Sequence, residues 1–419
     1  MGFGRKTDTW IRYGLAVCFA AALTANAVVT KPEDFSTTPD VVYRFPVITA
    51  PMMPTAPTID GTVGKAEWTC AAQSMPLIGM VEPVMTEEPG FFFVGYTADA
   101  IHMAWRFGRP PFADAPIAQN DPNAVWGDDA MELFLRPDFG EDWEYNFVVN
   151  AAGVSADGIR YSTTDKLFKG GWQAAARRTE VGWEGELSIP FAVMERATPE
   201  AGEVWEMLLA RNRKTPTAAL AVSSFLRGWG ADRDFQYLRF AGSRAPAVRV
   251  KEAGGITTSQ IGTMIELTST GVGGEYRVVA ELFEPESADH VYYKMLRSAA
   301  NPLGIQAEGQ DRSFVDSTVA AQKVLKQYRL LERRDMTVAL PAGAVRRFSL
   351  MRTVDPGRYL LHYRVLDATG KEVFGGGVLP FEQKPPFSVA LEPYLLIGKH
   401  VAVVCDRSEE HTSELQSLS

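Results

Sequence analysis

The sequence predicts an all-β protein, in which an antiparallel, jelly-roll-like β-sandwich is followed by an immunoglobulin-like β-sandwich. Between residues 55 and 244, short runs of alternating apolar and polar residues are separated by Gly, Pro, Asp and Asn. Helical periodicity is scarce in this region. Further strand-like runs begin at about residue 246, where the pattern changes.

The first region contains a series of predicted strands. "FFFVGYT" and "IHMAWRF" are joined by the tripeptide "ADA" and predict a hairpin. The series continues with "AMELFLRP", "WEYNFVVNAAG", "WQAAARRTEVGWEGELSIPF", "WEMLLARNR" and "FQYLRFAG". Because strands alternate their side chains, Met131, Leu133 and Leu135 are expected on one face and Glu132 on the other. The first domain is therefore assigned to residues 55–244.

The second region, residues 246–382, predicts the immunoglobulin-like domain. "DPGRYLLHYRVLDATGK" suits that fold, with a tight turn at 367–370. Residues 317–334 contain strong helix formers after Ser317, a candidate N-cap, and predict an inserted helix. Residues 383–406 open with a Pro pair and predict the first strands of a further, truncated β domain.

The chain begins with the features of a secretory signal peptide. Arg5, Lys6 and Arg12 precede an apolar run that ends at 25–27 in a small-x-small pattern, so residues 1–27 are assigned to it. The apolar run is too short for a membrane span, and no transmembrane segment is expected. Lipidation of Cys18 is an alternative form of export. Secreted, periplasmic or cell-surface localisation follows, with a polar, Pro-rich lead-in over 28–54.

The C-terminal residues of the chain are interpreted differently from the rest. "RSEEHTSELQS" matches the in-frame translation of a sequencing-adapter oligonucleotide, so residues 407–419 are interpreted as an artefact. The alternative is a polar, disordered tail. On the first interpretation the natural protein continues, and covalently linked downstream domains are missing from this chain.

Composition excludes some functions. The chain has 419 residues, 46% of them hydrophobic, as expected of a folded protein of several domains. A net charge of −9 argues against nucleic acid as a partner. After removal of the signal peptide, Cys70 and Cys405 remain far apart in sequence, and no structural disulfide is expected.

No catalytic motif stands out. The five histidines form no HExxH pair, and GxSxG, P-loop and GxGxxG motifs are absent. Nine tryptophans are more informative, because an exposed indole can stack on the C–H face of a sugar while polar groups bind its hydroxyls. Packing in a sandwich core is the alternative for each of them. Those at predicted strand ends and turns are Trp126, Trp143, Trp172, Trp183 and Trp229.

The order of segments from "APTIDGTVGKAEWTCAA" through "VWGDDAMELFLRP" to "GWGADRDFQYLRF" resembles family 9 carbohydrate-binding modules over residues 55–242. The resemblance implies a β-sandwich that clamps the end of a glycan between two tryptophans, with structural calcium in some members. Trp126 and Trp229 match the clamp tryptophans. Glu132 matches the acid that accepts hydrogen bonds from sugar hydroxyls.

Two polar positions of the family differ here. Val148 stands where the family has a binding arginine, and Leu226 where it has an asparagine. Candidates for replacing those contacts are Asn146, Arg211, Asn212, Arg213 and Arg227.

Acidic residues in turns have other expected roles. Asp128 and Asp129 are predicted to form the turn before a strand. Asp60 is a turn residue first and a candidate ligand for structural calcium second. No cofactor is required.

The sequence therefore predicts non-catalytic carbohydrate binding by an exported module, with a glycan or polysaccharide as partner. The module would be the N-terminal part of a larger polysaccharide-degrading protein, such as a glycoside hydrolase. Two alternatives stay open at this stage. The sandwich is a structural spacer that binds no sugar, or the chain is itself a glycosidase whose acids are not paired by sequence.

Overall fold

The computed structural model describes residues 28–29, 47–74, 76–79, 85, 90–108, 125, 127–138, 143–160, 170–213, 219–222, 236–242, 245–255, 260–285, 328–370, 372–383, 389–390 and 404–405. The predicted signal peptide, 1–27, and the adapter-like end, 407–419, lie outside these ranges. In the described part of the chain, no helix has the length and apolar character of a membrane span.

Strands dominate the described residues, which confirms the predicted all-β fold class. The helical element named among them is a 3-10 helix, Phe191–Met194. The strands are β1 (Val28–Val29), β2 (Val47–Ala50), β3 (Ala72–Gln73), β4 (Ile78–Gly79), β5 (Gly90–Tyr96), β6 (Ala100–Gly108), β7 (Ala130–Arg136), β8 (Glu144–Asn150), β9 (Ser155–Arg160), β10 (Gln173–Arg178), β11 (Gly182–Pro190), β12 (Val204–Arg213), β13 (Ala219–Val222), β14 (Gln236–Phe240), β15 (Ala247–Gly255), β16 (Gln260–Thr268), β17 (Gly274–Pro285), β18 (Tyr328–Leu340), β19 (Val345–Thr353), β20 (Gly357–Asp367), β21 (Glu372–Gln383), β22 (Val389–Ala390) and β23 (Val404–Cys405).

The first sandwich packs two sheets face to face. One has the strand order β14-β12-β7-β8-β9, with β13 paired to β12, and the other has the order β10-β11-β6-β5-β3. The predicted hairpin is β5–β6. Met131, Leu133 and Leu135 share a face, as expected, and belong to the same buried cluster as Met103 and Trp105 of the opposite sheet. Their burial removes apolar surface from water and stabilises the pairing of the two sheets.

In its described residues the second sandwich sets the strands β15-β16-β19 against β18-β17-β20-β21, and β1 extends the latter sheet beside β18. Alternate residues of β20, Leu361, Tyr363 and Val365, are fully buried in the cluster that also contains Ile265 of β16. The turn at 367–370 lies where it is predicted: the N–H of Gly370, at φ 81°, donates to the carbonyl of Asp367. Glycine allows that positive φ without steric cost.

Strand β2 joins the two sandwiches. It pairs in parallel with β14, where Ile48 lies beside Leu238, and antiparallel with β21, where Val47 lies beside Gly375. These residues belong to the segment predicted as a polar, Pro-rich lead-in. The apolar segment "VITA" forms a strand instead because both neighbouring strands offer it backbone hydrogen bonds. One sheet consequently runs through both sandwiches.

Side chains also hold the junction. The amide of Gln73 donates to the carbonyl of Val250 at 2.6 Å. Arg249 donates to the carbonyl of Ala71 at 3.3 Å, and its guanidinium lies 5.6 Å from the ring centroid of Phe93. The two sandwiches therefore meet through buried polar contacts as well as through β2.

The predicted inserted helix requires a correction. Residues 328–334 form the first half of β18, and residues 317–327 lie outside the described part of the chain. Over this stretch β18 pairs with β17, with Leu330 opposite Phe283 and Arg333 opposite Glu281. Pairing with a buried neighbour outweighs the helix propensity of the Leu, Glu and Arg residues.

Beyond β21, the short strands β22 and β23 pair antiparallel within the segment predicted to start a further β domain. Cys70 is a free thiol.

His102 in β6 gives the fold a pH dependence. Its Nε2 lies 3.0 Å from the hydroxyl of Thr97, and burial lowers its pKa from 6.5 to about 4. The folded state therefore binds fewer protons than the unfolded state between these values. We expect the free energy of unfolding to fall by up to about 3 kcal/mol as the pH is lowered from 6.5 through 4.

Denaturant titrations of the wild type and His102→Gln at pH 7 and pH 4.5 measure this effect. The wild type should lose more free energy of unfolding between pH 7 and pH 4.5 than His102→Gln does. A glutamine side chain cannot titrate, whereas all other groups contribute equally to both proteins. An identical loss of stability in both proteins would contradict the assignment.

Candidate functional site

The candidate site is built on the outer face of β7, the face turned away from the Met131, Leu133 and Leu135 side. Its central position is Glu132, which lies between Val148 of β8 and Ala210 of β12. Glu132 is 4% exposed. Burial of a carboxylate to this extent destabilises the folded state unless hydrogen bonds or opposite charges compensate for its lost hydration.

An amide orients this carboxylate. The Nδ2 of Asn212 donates to Oε1 of Glu132. Asn212 lies opposite Ala130, so it stands one pair further along the same face of the sheet. Among the predicted polar contacts, Asn212 therefore touches Glu132 directly.

Asn146 also belongs to this face. It lies opposite Phe134, next to Val148 in the alternation of β8, and is 1% exposed. Its Nδ2 donates to the carbonyl of Leu133 at 3.4 Å. The face thus carries two amides beside a carboxylate, which supply both donors and acceptors.

A buried charge cluster continues the same face toward the end of β7. Arg136 donates from Nη1 to Glu206 at 3.0 Å and from Nη2 to Glu144 at 3.3 Å. The side chain of Arg136 is 1% exposed and that of Glu144 0%. This cluster was not predicted from the sequence, although the alternation that places Glu132 and Arg136 on one face of β7 could have indicated it.

Asp128 and Asp129 stabilise the turn before β7. The Oδ2 of Asp128 accepts a hydrogen bond from Asn150 Nδ2 at 3.1 Å, and the Asp128 N–H donates to Val125 at 3.1 Å. The carbonyl of Asp129 accepts from Ala151 at 2.9 Å. These contacts fasten the start of β7 to the β8–β9 turn, which agrees with the predicted structural role.

Arg211 lies on the opposite face of β12. Its Nη2 donates to the carbonyl of Gly108 at 2.8 Å, and its guanidinium lies 4.9 Å from the ring centroid of Phe107. Arg213 shares the alternation of Arg211, so both side chains are separated from Glu132 by the sheet. The remaining predicted positions lie outside the described residues: Trp126, Leu226, Arg227 and Trp229.

Val148, which the sequence resemblance aligns with an arginine, lies directly opposite Glu132. It is fully buried in a small cluster with Val125, Ala130 and Ala156. The charge of Glu132 is therefore flanked by apolar side chains of β8 and by the amide of Asn212 on β12.

Asp60 lies in a turn on the outer face of the other sheet. Its Oδ1 accepts from the N–H of Thr62 at 2.7 Å. The neighbouring carboxylate, Glu186, accepts from the N–H groups of Asp60 and Gly61 at 3.2 and 3.1 Å and from Trp68 Nε1 at 2.7 Å. Burial raises the pKa of Glu186, and these three donors oppose that shift.

The surroundings of Asp60 fit a turn better than a calcium site. Calcium requires six to eight oxygen ligands, whereas the nearest carboxylate oxygens here already accept N–H groups. Within the described ranges there is no cluster of three or more His, Cys, Asp or Glu residues that could hold a metal ion.

No protein-family model and no curated protein matches the chain. Similar solved structures include a family 9 carbohydrate-binding module from Caldicellulosiruptor kristjanssonii in complex with glucose, at 16% identity and a TM-score of 0.36 over 47% of this chain and 96% of the module. The same module in complex with cellotriose has 16% identity and a TM-score of 0.36, over 47% of this chain and 94% of the module. A candidate carbohydrate-binding protein from Bacteroides uniformis ATCC 8492 has 16% identity and a TM-score of 0.39, over 46% of this chain and 98% of that protein.

The structural similarity thus includes family 9 modules, the family that the order of sequence segments resembles.

Proposed function

We propose that the first sandwich binds the end of a glycan and does not catalyse its turnover. The observation that carries the proposal is the position of Glu132, a buried carboxylate oriented by Asn212 on the outer face of a sheet. A carboxylate accepts hydrogen bonds from two adjacent sugar hydroxyls, and an amide both donates and accepts.

The proposed clamp consists of Trp126 and Trp229, the positions that the sequence resemblance assigns to it. Trp126 precedes Glu132 by six positions, just before the turn that Asp128 fastens to Asn150. An indole there would cover the C–H face of a pyranose while Glu132 and Asn212 bind its hydroxyls. Because the side chain of Val148 cannot form hydrogen bonds, Glu132 and Asn212 would provide the hydrogen bonds of the proposed site.

We expect Trp126→Ala, Trp229→Ala and Glu132→Gln each to weaken glycan binding by about 5- to 30-fold. The loss of one stacked ring or one charged acceptor corresponds to on the order of 1–2 kcal/mol. Calorimetric titration of the purified chain with glucose, cello-oligosaccharides, xylo-oligosaccharides and galactans measures the affinities.

Trp143→Phe is the matched control, because Trp143 packs edge to face on Tyr145 at 5.2 Å and is not part of the proposed clamp. It should bind like the wild type. Equal affinities for Trp126→Ala and the wild type, or no binding by the wild type, would refute the proposal. The second result would favour a structural spacer.

We further propose that the chain is exported and that it is the N-terminal part of a larger polysaccharide-degrading protein. The basic residues before the apolar run at the start, and the adapter-like residues at the end, support this. The two antiparallel sheets of the second sandwich, β15-β16-β19 and β18-β17-β20-β21 with β1 beside β18, support an immunoglobulin-like domain of the kind that links modules. Turnover of chromogenic glycosides by this chain would instead establish a glycosidase.

A further inference from the structure

We propose that residues 30–46 cross the outer face of the second sandwich and bury it, so that the start of the chain is bound to this domain from one edge of its sheet to the other. The outer face is the side of β18-β17-β20-β21 that is turned away from β15-β16-β19. It is a docking surface for a segment of the same chain, and the proposal does not depend on glycan binding by the first sandwich.

The outer face is buried although no described strand packs extensively on it. Its central residues, apolar and polar, are 0–3% exposed: Leu330, Phe283, Leu360, Arg333, Glu281 and His362. Of the described strands, those in extensive contact with β17, β18 and β20 are their neighbours in the same sheet and β19 of the opposite sheet. These side chains are buried in a single copy of the chain, so the cover has to come from the chain itself.

The register of the sheet fixes both ends of residues 30–46. β1 lies at one edge, beside β18, and β2 lies at the other edge, beside β21. One row of paired residues runs from β1 to β2: Val28, Asp335, Val279, Arg364, Gly375 and Val47. With strands about 4.8 Å apart, the two edges are separated by about 24 Å. The chain therefore leaves one edge of the sheet after Val29 and returns at the opposite edge at Val47.

Distance favours a route over the outer face. Residues 30–46 reach up to about 60 Å when fully extended. A path over the outer face needs about 40 Å, which is the width of the sheet and about 10 Å at each edge. A path around the opposite sheet has to pass a second layer, about 10 Å further away on each side, and needs about 60 Å or more. The first route therefore leaves enough chain for side chains to pack on the face.

Exposure changes along the outer face in the direction that this route predicts. β1 runs antiparallel to β18, so the residues after Val29 continue toward the end of β18 at which Leu330 lies. The outer face is buried toward that end, whereas Thr337 and Ala339, further along β18 on the same face, are exposed. The inner face of β18 remains buried as far as Leu340, so fraying of the strand does not account for the difference.

The composition of residues 30–46 matches the outer face. The segment contains apolar and aromatic side chains that can pack there: Phe35, Val41, Val42, Tyr43 and Phe45. Its three acidic and two basic residues leave one negative charge in excess. In the buried part of the outer face, the two guanidinium groups of Arg333 and Arg364 face one carboxylate, that of Glu281. A negatively charged segment complements this surface.

The connection between β17 and β18, residues 286–327, is the other long segment next to this face. It leaves and returns at one end of the sheet, because Pro285 lies opposite Tyr328, and the register therefore does not require it to cross the sheet. Residues 30–46 are anchored at both edges of the buried row. We therefore assign the outer face to them.

Photo-crosslinking of the full chain tests this assignment. A benzophenone amino acid in place of Arg364 lies on the outer face, and irradiation followed by peptide mass spectrometry should identify cross-links to residues 30–46 of the same molecule. The matched control carries the same group in place of Arg347, whose side chain on the opposite sheet is 66% exposed, and should give no such cross-link. Cross-links from position 364 to residues 286–327, to other parts of the chain or to a second molecule, with none to 30–46, would overturn the proposal.

Hydroxyl-radical footprinting is an independent measurement. Replacing residues 33–45 of the full chain with a Gly-Ser sequence of the same length should increase the oxidation of Phe283, Leu330 and Leu360, because their cover is lost. Tyr363, on the inner face, should not change. The same replacement over residues 299–311 is the length-matched control and should leave all four unchanged.

Unchanged oxidation of the outer face after replacement of residues 33–45 would contradict the proposal, and so would an equal increase in both variants. Oxidation of Tyr363 as well would indicate unfolding of the variant, in which case the cross-links from position 364 decide.

Discussion

Replacing Arg136 with methionine is expected to lower the free energy of unfolding by about 3–5 kcal/mol, the typical cost of removing one partner from a buried ion pair. Glu144 and Glu206 both bind this guanidinium and are 0% and 6% exposed at their side chains. Without Arg136, two neighbouring carboxylates would lose their common countercharge in a region of low dielectric. Denaturant unfolding at pH 7, followed by tryptophan fluorescence, measures the change.

The combined variant Arg136→Met, Glu144→Leu, Glu206→Leu should recover much of the loss, because an apolar cluster replaces the entire set of charges. Arg347→Met is the matched control: Arg347 binds Glu266 at 2.8 Å but is 66% exposed, so about 1 kcal/mol or less is expected. If Arg136→Met costs no more than Arg347→Met, the buried cluster does not stabilise the first sandwich.

Replacing Glu186 with leucine is expected to cost roughly 3–5 kcal/mol, since three N–H donors lose their acceptor, each at about 1–3 kcal/mol. The donors are the backbone of Asp60 and Gly61 and the indole of Trp68. Glu186 is fully buried, so water cannot replace it without opening this side of the sandwich. Chemical denaturation gives the change in stability.

Two variants make the interpretation specific. Glu186→Gln keeps the size and one acceptor, and should cost only about 1–2 kcal/mol. Glu184→Leu removes a carboxylate two residues away on the same face, whose partners Arg106 and Arg177 are about half exposed, and should cost about 1 kcal/mol or less. Equal effects of Glu184→Leu and Glu186→Leu would show that the turn at Asp60 and Gly61 does not depend on Glu186.

Local patterns in the sequence suffice to predict the fold class and the position of Glu132. Alternation in "AMELFLRP" separates the Met131, Leu133 and Leu135 face from the Glu132 face, and the structure confirms this separation. Turn residues at 367–370 and at Asp128 act as their chemistry predicts, because a turn is determined within a few residues.

Contacts between distant strands could not be predicted in this way. "YRLLERR" has helix formers, yet its partner in β17 makes it a strand. Asn212 and Arg211 are adjacent in sequence, and only the pairing of β12 with β7 places Asn212 beside Glu132 and Arg211 against Phe107. Arg136 likewise meets Glu144 and Glu206 only because of the register in which β7 pairs with its neighbouring strands β8 and β12.

The position of β2 has a consequence for how the chain acquires its structure. Val47 comes early in synthesis, whereas its neighbours Leu238 and Gly375 belong to strands made much later. Contacts of such high sequence separation form slowly. In a chain that emerges in order, the edge of β2 that faces β21 has to stay without this partner until β21 has appeared, long after β14. The continuous sheet would then be completed late in folding. Until that point the unpaired strand edges beside β2 would be exposed to wrong pairing, and these are the surfaces that a chaperone must protect.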